Sequence, residues 1–158
     1  MKNTSKKLNR IIGAIVLFLA AVFLLTGCFR NPPASSPANA DRKIEVTEDG
    51  IYTSKDEVAA YIHKYGTVPS NFLTKSKAKK LGWDPSHHTV DEVLPGYSIG
   101  GGGFANAEGL LPEAPGREYF ECDIDYHGGK RNAKRIVYSN DGLIFYTDDH
   151  YESFERLY

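Results

Sequence analysis

Glu121, Arg131, Arg135 and His150 follow one another in the last third of this 158-residue chain, and phosphodiester chemistry uses side chains of these types. A carboxylate takes a proton from a hydroxyl, an imidazole gives one to a leaving oxygen, and guanidiniums hold the phosphate between them. The arginines stand at i and i+4 in Lys130-Arg131-Asn132-Ala133-Lys134-Arg135, and the histidine sits in Asp149-His150-Tyr151. By spacing alone, the same residues also describe an ordinary ion-pair network between surface strands. The elements that carry them separate the two readings.

Ser54-Lys55-Asp56-Glu57 is a capping box, followed by Val58, Ile62 and Tyr65 at helical spacing and by Gly66 as a stop. A second short helix fits Thr74 to Leu81, ended by Gly82, and a third begins at Thr89-Val90-Asp91-Glu92 and is cut off by Pro95-Gly96. The period then changes from 3.6 to 2. In Tyr119-Phe120-Glu121-Cys122-Asp123-Ile124, alternation puts Glu121 and Asp123 on one face and Phe120, Cys122 and Ile124 on the other. Strands over Lys134–Ser139 and Leu143–Thr147 flank the turn Asn140-Asp141-Gly142, and a last strand fits Ser153–Leu157. Helices first and an antiparallel sheet after them predict an α+β domain. If Phe120, Cys122, Ile124 and Ile136 face the helices, Glu121 and Arg135 share the opposite, more open face. His150 then falls on the loop after the following strand, where catalytic groups often lie.

The amino terminus has a different character. Met1–Arg10 carries four basic residues and no acid, and Ile11–Leu25 is an apolar run of 15 residues. A membrane span needs about 20, so this length suits the core of a secretory leader. Leu25-Thr26-Gly27-Cys28 resembles the lipobox of bacterial lipoproteins, in which Cys28 becomes the lipidated first residue of the mature chain. The alternative is an uncleaved signal anchor with an incidental cysteine. The expected organisation is a leader over residues 1–27, a lipidated Cys28 with a Pro/Ala/Ser-rich tether over 28–47, and one domain over 48–158. The location this implies is extracytoplasmic, anchored to the cell membrane or released from it. Removing the leader leaves 15 basic against 20 acidic residues, a net charge of −5. Any nucleic-acid contact must therefore rest on local basic clusters and depend strongly on salt. With Cys28 lipidated, Cys122 has no partner for an internal disulfide.

Several segments carry a resemblance: Pro69-Ser70-Asn71-Phe72-Leu73-Thr74-Lys75-Ser76, Leu81-Gly82-Trp83, Ser98-Ile99-Gly100-Gly101, Phe104-Ala105-Asn106-Ala107-Glu108-Gly109, Arg131-Asn132 with Arg135-Ile136, and Thr147-Asp148-Asp149-His150-Tyr151. In this collinear order, Ile51 to Tyr158 resembles the small guanyl-preferring bacterial ribonucleases of the barnase type. The resemblance implies helices packed on a sheet of about five antiparallel strands, and metal-independent, cofactor-free endonucleolytic cleavage of RNA by a monomer. It implies Glu121 as general base and His150 as general acid. Lys75, Arg131 and Arg135 would surround the scissile phosphate, with Tyr151 beside it. Phe104, Asn106 and Glu108 would form the guanine loop, the Glu108 carboxylate accepting from the N1–H and N2–H₂ edge of the base. A barstar-like protein inhibitor is a further implied partner.

Two positions depart from the family pattern. Ala107 stands where an arginine is common, and Gly102, within Gly100-Gly101-Gly102-Gly103, stands where an acid is common. Both changes, with the flexibility expected of a four-glycine loop, predict a slower or more salt-sensitive enzyme. Glu108 read without the resemblance is a turn residue before Gly109. His63, His87, His88 and His127 read as solvated side chains, and no spacing resembles a zinc site. Lys77, Lys79 and Lys80 read as a solvated helix face, and Asp123 as a brace for Arg131 or Arg135. The competing class is a catalytically weak surface lipoprotein that keeps the fold and binds nucleic acid or another partner. Scavenging of RNA and attack on neighbouring cells fit the sequence equally.

Overall fold

A computed structural model describes residues 44–158. The leader, Cys28 and nearly all of the tether lie outside the described residues.

Among the described residues, three helices precede most of the sheet. Helix α1 (Lys55–Tyr65) starts at Ser54, whose hydroxyl accepts from the Glu57 amide and donates to the Glu57 carboxylate at 2.5 Å. It stops at Gly66, which adopts φ 71° and returns its amide to the Ile62 carbonyl at 2.8 Å. Helix α2 (Lys75–Lys80) is capped by the Thr74 hydroxyl and rotationally fixed by Ala78, which is fully buried. Helix α3 (Val90–Val93) is one turn long, with Glu92 accepting from the Thr89 amide at 2.7 Å.

Six strands form one sheet in sequence order: β1 (Phe72–Leu73), β2 (Ser98–Phe104), β3 (Tyr119–Asp123), β4 (Arg135–Ser139), β5 (Ile144–Thr147) and β6 (Glu155–Arg156). The β1–β2 pair is parallel and all the others are antiparallel. The α+β class holds, and the hairpin turns where Asn140-Asp141-Gly142 predicts. One expectation is corrected: the four glycines are not a loop but the middle of β2. Gly100 is paired with Cys122, and a Cβ there would lie 2.5 Å from Cys122 Cβ and 2.7 Å from Phe72 Cδ1, so only glycine lets the strands close. Gly101 takes φ +77° in the bulge that shifts the register between Gly100 and Gly102.

The main core lies between α1 and the sheet. Val58, Ala59 and Ile62 meet Phe72, Cys122, Ile124, Ile136, Tyr138 and Ile144. The opposite face is less open than alternation predicts. Leu111, Tyr119, Val137 and Phe145 form a second apolar cluster there, flanked by Phe104, Tyr151 and Phe154. Segments on either side of Leu111 and around Tyr151 thus cover part of the face that carries Glu121.

Candidate active site

Glu121 occupies the centre of β3, opposite Gly102 on β2 and Val137 on β4. Its side chain is 15% exposed. Lys75, the first residue of α2, donates to Oε1 at 3.0 Å, and the Tyr151 hydroxyl donates to Oε2. Burial pushes the carboxyl pKa up, but hydrogen bonds from Tyr151 and Lys75 and the charges of Lys75 and Arg135 outweigh it. The net shift is downward, so Glu121 is held as a carboxylate. Burial, together with the same contact, raises the Tyr151 hydroxyl pKa and keeps it a donor.

Two residues further along β3, Asp123 holds both arginines. Arg131 grips it with two parallel bonds, Nε to Oδ2 at 2.5 Å and Nη2 to Oδ1 at 2.7 Å. Arg135, paired with Asp123 in the β3–β4 register, places Nε 2.9 Å from Oδ1, off the line of a good hydrogen bond. Its Nη1 donates to the carbonyls of Asn132 and Lys134 at 2.8 and 2.6 Å. Asp123 and Arg135 are each 3% exposed, whereas Arg131 is 27% exposed. The brace expected for one arginine therefore serves both. Arg135 acts from within the protein, and Arg131 presents an open edge.

His150 and Tyr151 follow β5 in a loop with two consecutive left-handed residues, φ 61° and 78°. Such a pair is costly for non-glycine residues and needs surrounding bonds to hold it. Asp149 supplies them. Its Oδ1 accepts from Thr147 Oγ1 at 2.7 Å and from the Glu152 and Ser153 amides at 3.0 Å each, and its Oδ2 accepts from the Ser153 hydroxyl. These bonds, led by Ser153 and Thr147, lower the Asp149 pKa to about 2. Thr147 Oγ1 also accepts from the Tyr151 amide at 3.1 Å. The loop turns Tyr151 inward onto Glu121 and leaves His150 exposed, their rings 4.8 Å apart. Sequence reading gave Asp149 no role, although an aspartate two residues after Thr147 and four before Ser153 is the spacing of side chains that bond neighbouring backbone.

The loop after β2 begins with Phe104, whose ring lies 5.3 Å from that of Tyr151. Asn106, at φ 46°, uses its whole side chain within the loop: Oδ1 accepts from the Leu111 amide and Nδ2 donates to the Leu111 carbonyl, both at 3.0 Å. Only its backbone is left for a ligand. Glu108 is exposed and has no hydrogen-bond or ion-pair partner among the described residues.

The structure therefore brings Lys75, Glu121, Arg131, Arg135 and Tyr151 together, with Phe104 and His150 at the margin and Glu108 out on the loop. A cleft of about 180 Å³ opens over Lys75, Glu121 and Asp123, lined also by Thr74, Ser76, Gly102 and Gly103. A larger hollow of about 560 Å³ lies between Gly103–Asn106 and Glu113–Phe120 and contains none of the ionised groups of the cleft. The cleft is the candidate site, because Lys75, Glu121 and Asp123, which holds both arginines, line it. Among the described residues, no group of three or more histidine, cysteine or carboxylate side chains is arranged to hold a metal ion.

The α+β fold thus sets Glu121 between Lys75 and Tyr151, beside two arginines held by Asp123, with His150 exposed on the loop after β5. A family model described as ribonuclease matches residues 55–158. A ribonuclease of Bacillus intermedius is 40% identical over 96% of this chain and 99% of its own length. A ribonuclease of Heyndrickxia coagulans is 52% identical over 68% of this chain and 98% of its own. The guanyl-specific ribonuclease St of Saccharopolyspora erythraea is 42% identical over 37% of this chain and 58% of its own length. The chain belongs to this ribonuclease family and is an endoribonuclease by that membership.

Proposed function

We propose that this endoribonuclease cleaves single-stranded RNA on the 3′ side of guanosine, through a 2′,3′-cyclic phosphate, and that it does so outside the cytoplasm, anchored through a lipid on Cys28. The observation that carries the chemical part is Glu121, kept ionised in the cleft between Lys75, Tyr151 and the two arginines.

Glu121 takes the proton of the ribose 2′-hydroxyl, and that oxygen attacks phosphorus in line. His150 gives its proton to the departing 5′-oxygen as the P–O5′ bond breaks. In the second step the roles reverse. His150 takes a proton from water, whose oxygen opens the cyclic phosphate, and Glu121 returns its proton to the 2′-oxygen. Arg131 and Lys75 face the equatorial phosphoryl oxygens, and Arg135 adds its field from beneath, a preorganised contribution that needs no rearrangement as charge develops. Because Asp123 fixes both guanidiniums, they are placed before substrate arrives.

Guanine preference is read from the loop after β2. Glu108, without a partner among the described residues, can accept from both the N1–H and N2–H₂ groups, which adenine cannot offer together. Phe104 and Tyr151 supply stacking, worth about 1 to 3 kcal/mol per base, and the guanyl-specific relative supports this reading. Ala107 leaves the loop without an added cation.

The test is incubation of residues 28–158 with a GpN dinucleotide in EDTA, with guanosine 2′,3′-cyclic phosphate as the expected product and ApN cleaved more slowly. Glu121→Ala and His150→Ala should each lose about 10²- to 10⁴-fold in rate. Full activity in either variant removes that residue from the mechanism. Radiolabelled fatty acid incorporated by the parent chain but not by Cys28→Ala tests the anchor.

A further inference from the structure

Helix α2 has four lysines among its six residues and no acid in its first turn. Lys75 is committed to Glu121, but Lys77, Lys79 and Lys80 are exposed and form no ion pair or hydrogen bond among the described residues. Lys130, beside Arg131, is likewise exposed and unpaired. Between residues 44 and 158, nineteen acids face twelve lysines and arginines. With acid in such excess, pairing is the ordinary outcome for a cation, and Lys55, Arg117, Lys134 and both site arginines follow it.

The rotation of α2 sorts its lysines. Buried Ala78 fixes one side, and the backbone leaves the helix with the Trp83 amide bonded to the Ala78 carbonyl at 3.1 Å. At 3.6 residues per turn, Lys79 lies about 40° around the axis from Lys75, on the same flank. Lys80, about 100° beyond Lys79, faces outward, away from buried Ala78. Lys77 points the other way and lines a separate hollow with Thr67, Val68 and Tyr138. A further hollow, of about 260 Å³, opens beneath Trp83, Pro85 and His88 and is closed by Gly129, Lys130 and Arg131. It is lined by half-buried Arg131 and adjoins the chain that leaves α2.

We propose that Lys79 and Lys80 on α2, with Lys130 beside Arg131, form an outer phosphate-binding strip for the part of the RNA chain that extends past the scissile bond. The inference rests on the proposed reading of Lys75 and Arg131 as the cations at the scissile phosphate. Lysine suits the role: its ammonium is a compact point charge on a flexible stem, which meets phosphates without reading bases. Such a strip gives a net-acidic enzyme a local hold on a polyanion and raises its preference for long RNA over short.

The experiment compares the parent protein with Lys79→Glu/Lys80→Glu and with a charge-matched control, Lys77→Glu/Arg156→Glu. In the control, Lys77 faces away from Lys79 into its own hollow and Arg156 stands on β6, at the far edge of the sheet from β1. Hydrolysis of GpN and of long single-stranded RNA is followed at several salt concentrations. The strip variant should hydrolyse GpN within about twofold of the parent, which also reports an intact fold. On long RNA at low salt its kcat/KM should fall about tenfold or more. The slope of log kcat/KM against log salt should flatten by about 1.4, or about 0.7 for each lost phosphate contact. The control should change little on either substrate. Equal losses in strip and control variants would reduce the effect to net charge and overturn the proposal. Unchanged cleavage of long RNA by the strip variant would overturn it too, and loss of binding to phosphatidylglycerol vesicles in that case would assign the lysines to the membrane. A parent protein that leaves GpN intact would instead sink the reading of the site on which the strip depends.

Discussion

On the side of β3 and β4 that meets α1, Cys122, Ile124, Ile136 and Tyr138 are packed among Val58, Ala59 and Ile62. On the other side, alternating with them residue by residue, stand Glu121, Asp123 and Arg135. Both sets are largely withdrawn from water: Ile136 is fully buried, and Asp123 and Arg135 are each 3% exposed. The first face gains stability from burial of apolar area, roughly 25 cal/mol per Å². The second buries charge, which costs desolvation and repays it only while every partner stays in place. One set of strands thus carries a face that tolerates adjustment and a face that does not. The intolerant face is the one that orients the two arginines and Glu121.

The sharpest way to break this contrast is Asp123→Ala. It leaves the buried Arg135 charge uncompensated and should cost about 3 to 5 kcal/mol in urea unfolding. The apolar double variant Asp123→Leu/Arg135→Met should regain much of that stability while leaving RNA cleavage abolished, which would separate placement of the arginines from folding. On the opposite face, Ile136→Ala should cost about 2 to 5 kcal/mol by leaving a cavity. Its cleavage rate per folded molecule should remain that of the parent, and a large loss would show that the two faces are coupled.

Acid titration probes the charged face more gently. Glu121 and Asp149 both have folded-state pKa values below their ordinary ones, Asp149 at about 2. The stability they add is therefore fully present above the ordinary carboxylate range and is lost as pH falls through it towards the folded values. Denaturation midpoints measured from pH 7 down to pH 2 should decline less steeply in Glu121→Gln and in Asp149→Asn than in the parent. Activity should also fall on the acid side as Glu121 gains its proton, at a pH below that of an ordinary glutamate. The smallest effect concerns two glycines of β2. At Gly102 a Cβ meets nothing within 4 Å and φ is not left-handed, so Gly102→Ala should add about 0.4 to 1 kcal/mol. Gly100→Ala should destabilise instead, because its Cβ would collide with Cys122 and Phe72.

The legibility of the sequence follows the same division. The first helix, the hairpin at Asn140-Asp141-Gly142 and the two faces of β3 were readable because capping, turn chemistry and alternation are local rules. The strand through Gly100–Gly103 was not, since glycine carries no pattern of its own; it becomes a strand because Cys122 and Phe72 leave no room for anything larger. Likewise, alternation sets Glu121 and Arg135 on a shared face but does not announce the second apolar cluster around Leu111 and Phe145 that narrows it. Asp149 went unread because its bonds hold a loop, and its importance depends on which side chains that loop presents.

Sequence by itself determined the helix-then-sheet order, the alternation that sets Glu121 and Asp123 opposite the core, and the family to which the chain belongs. Only the tertiary structure decided that Asp123 would grip both arginines, that Arg135 would be buried while Arg131 stays open, and that Tyr151 would reach Glu121. The reason is physical. Periodicity fixes which face a residue occupies, whereas partner choice among charged side chains depends on register, loop conformation and desolvation, all of which arise only when β2, β3, β4 and the loop after β5 come together.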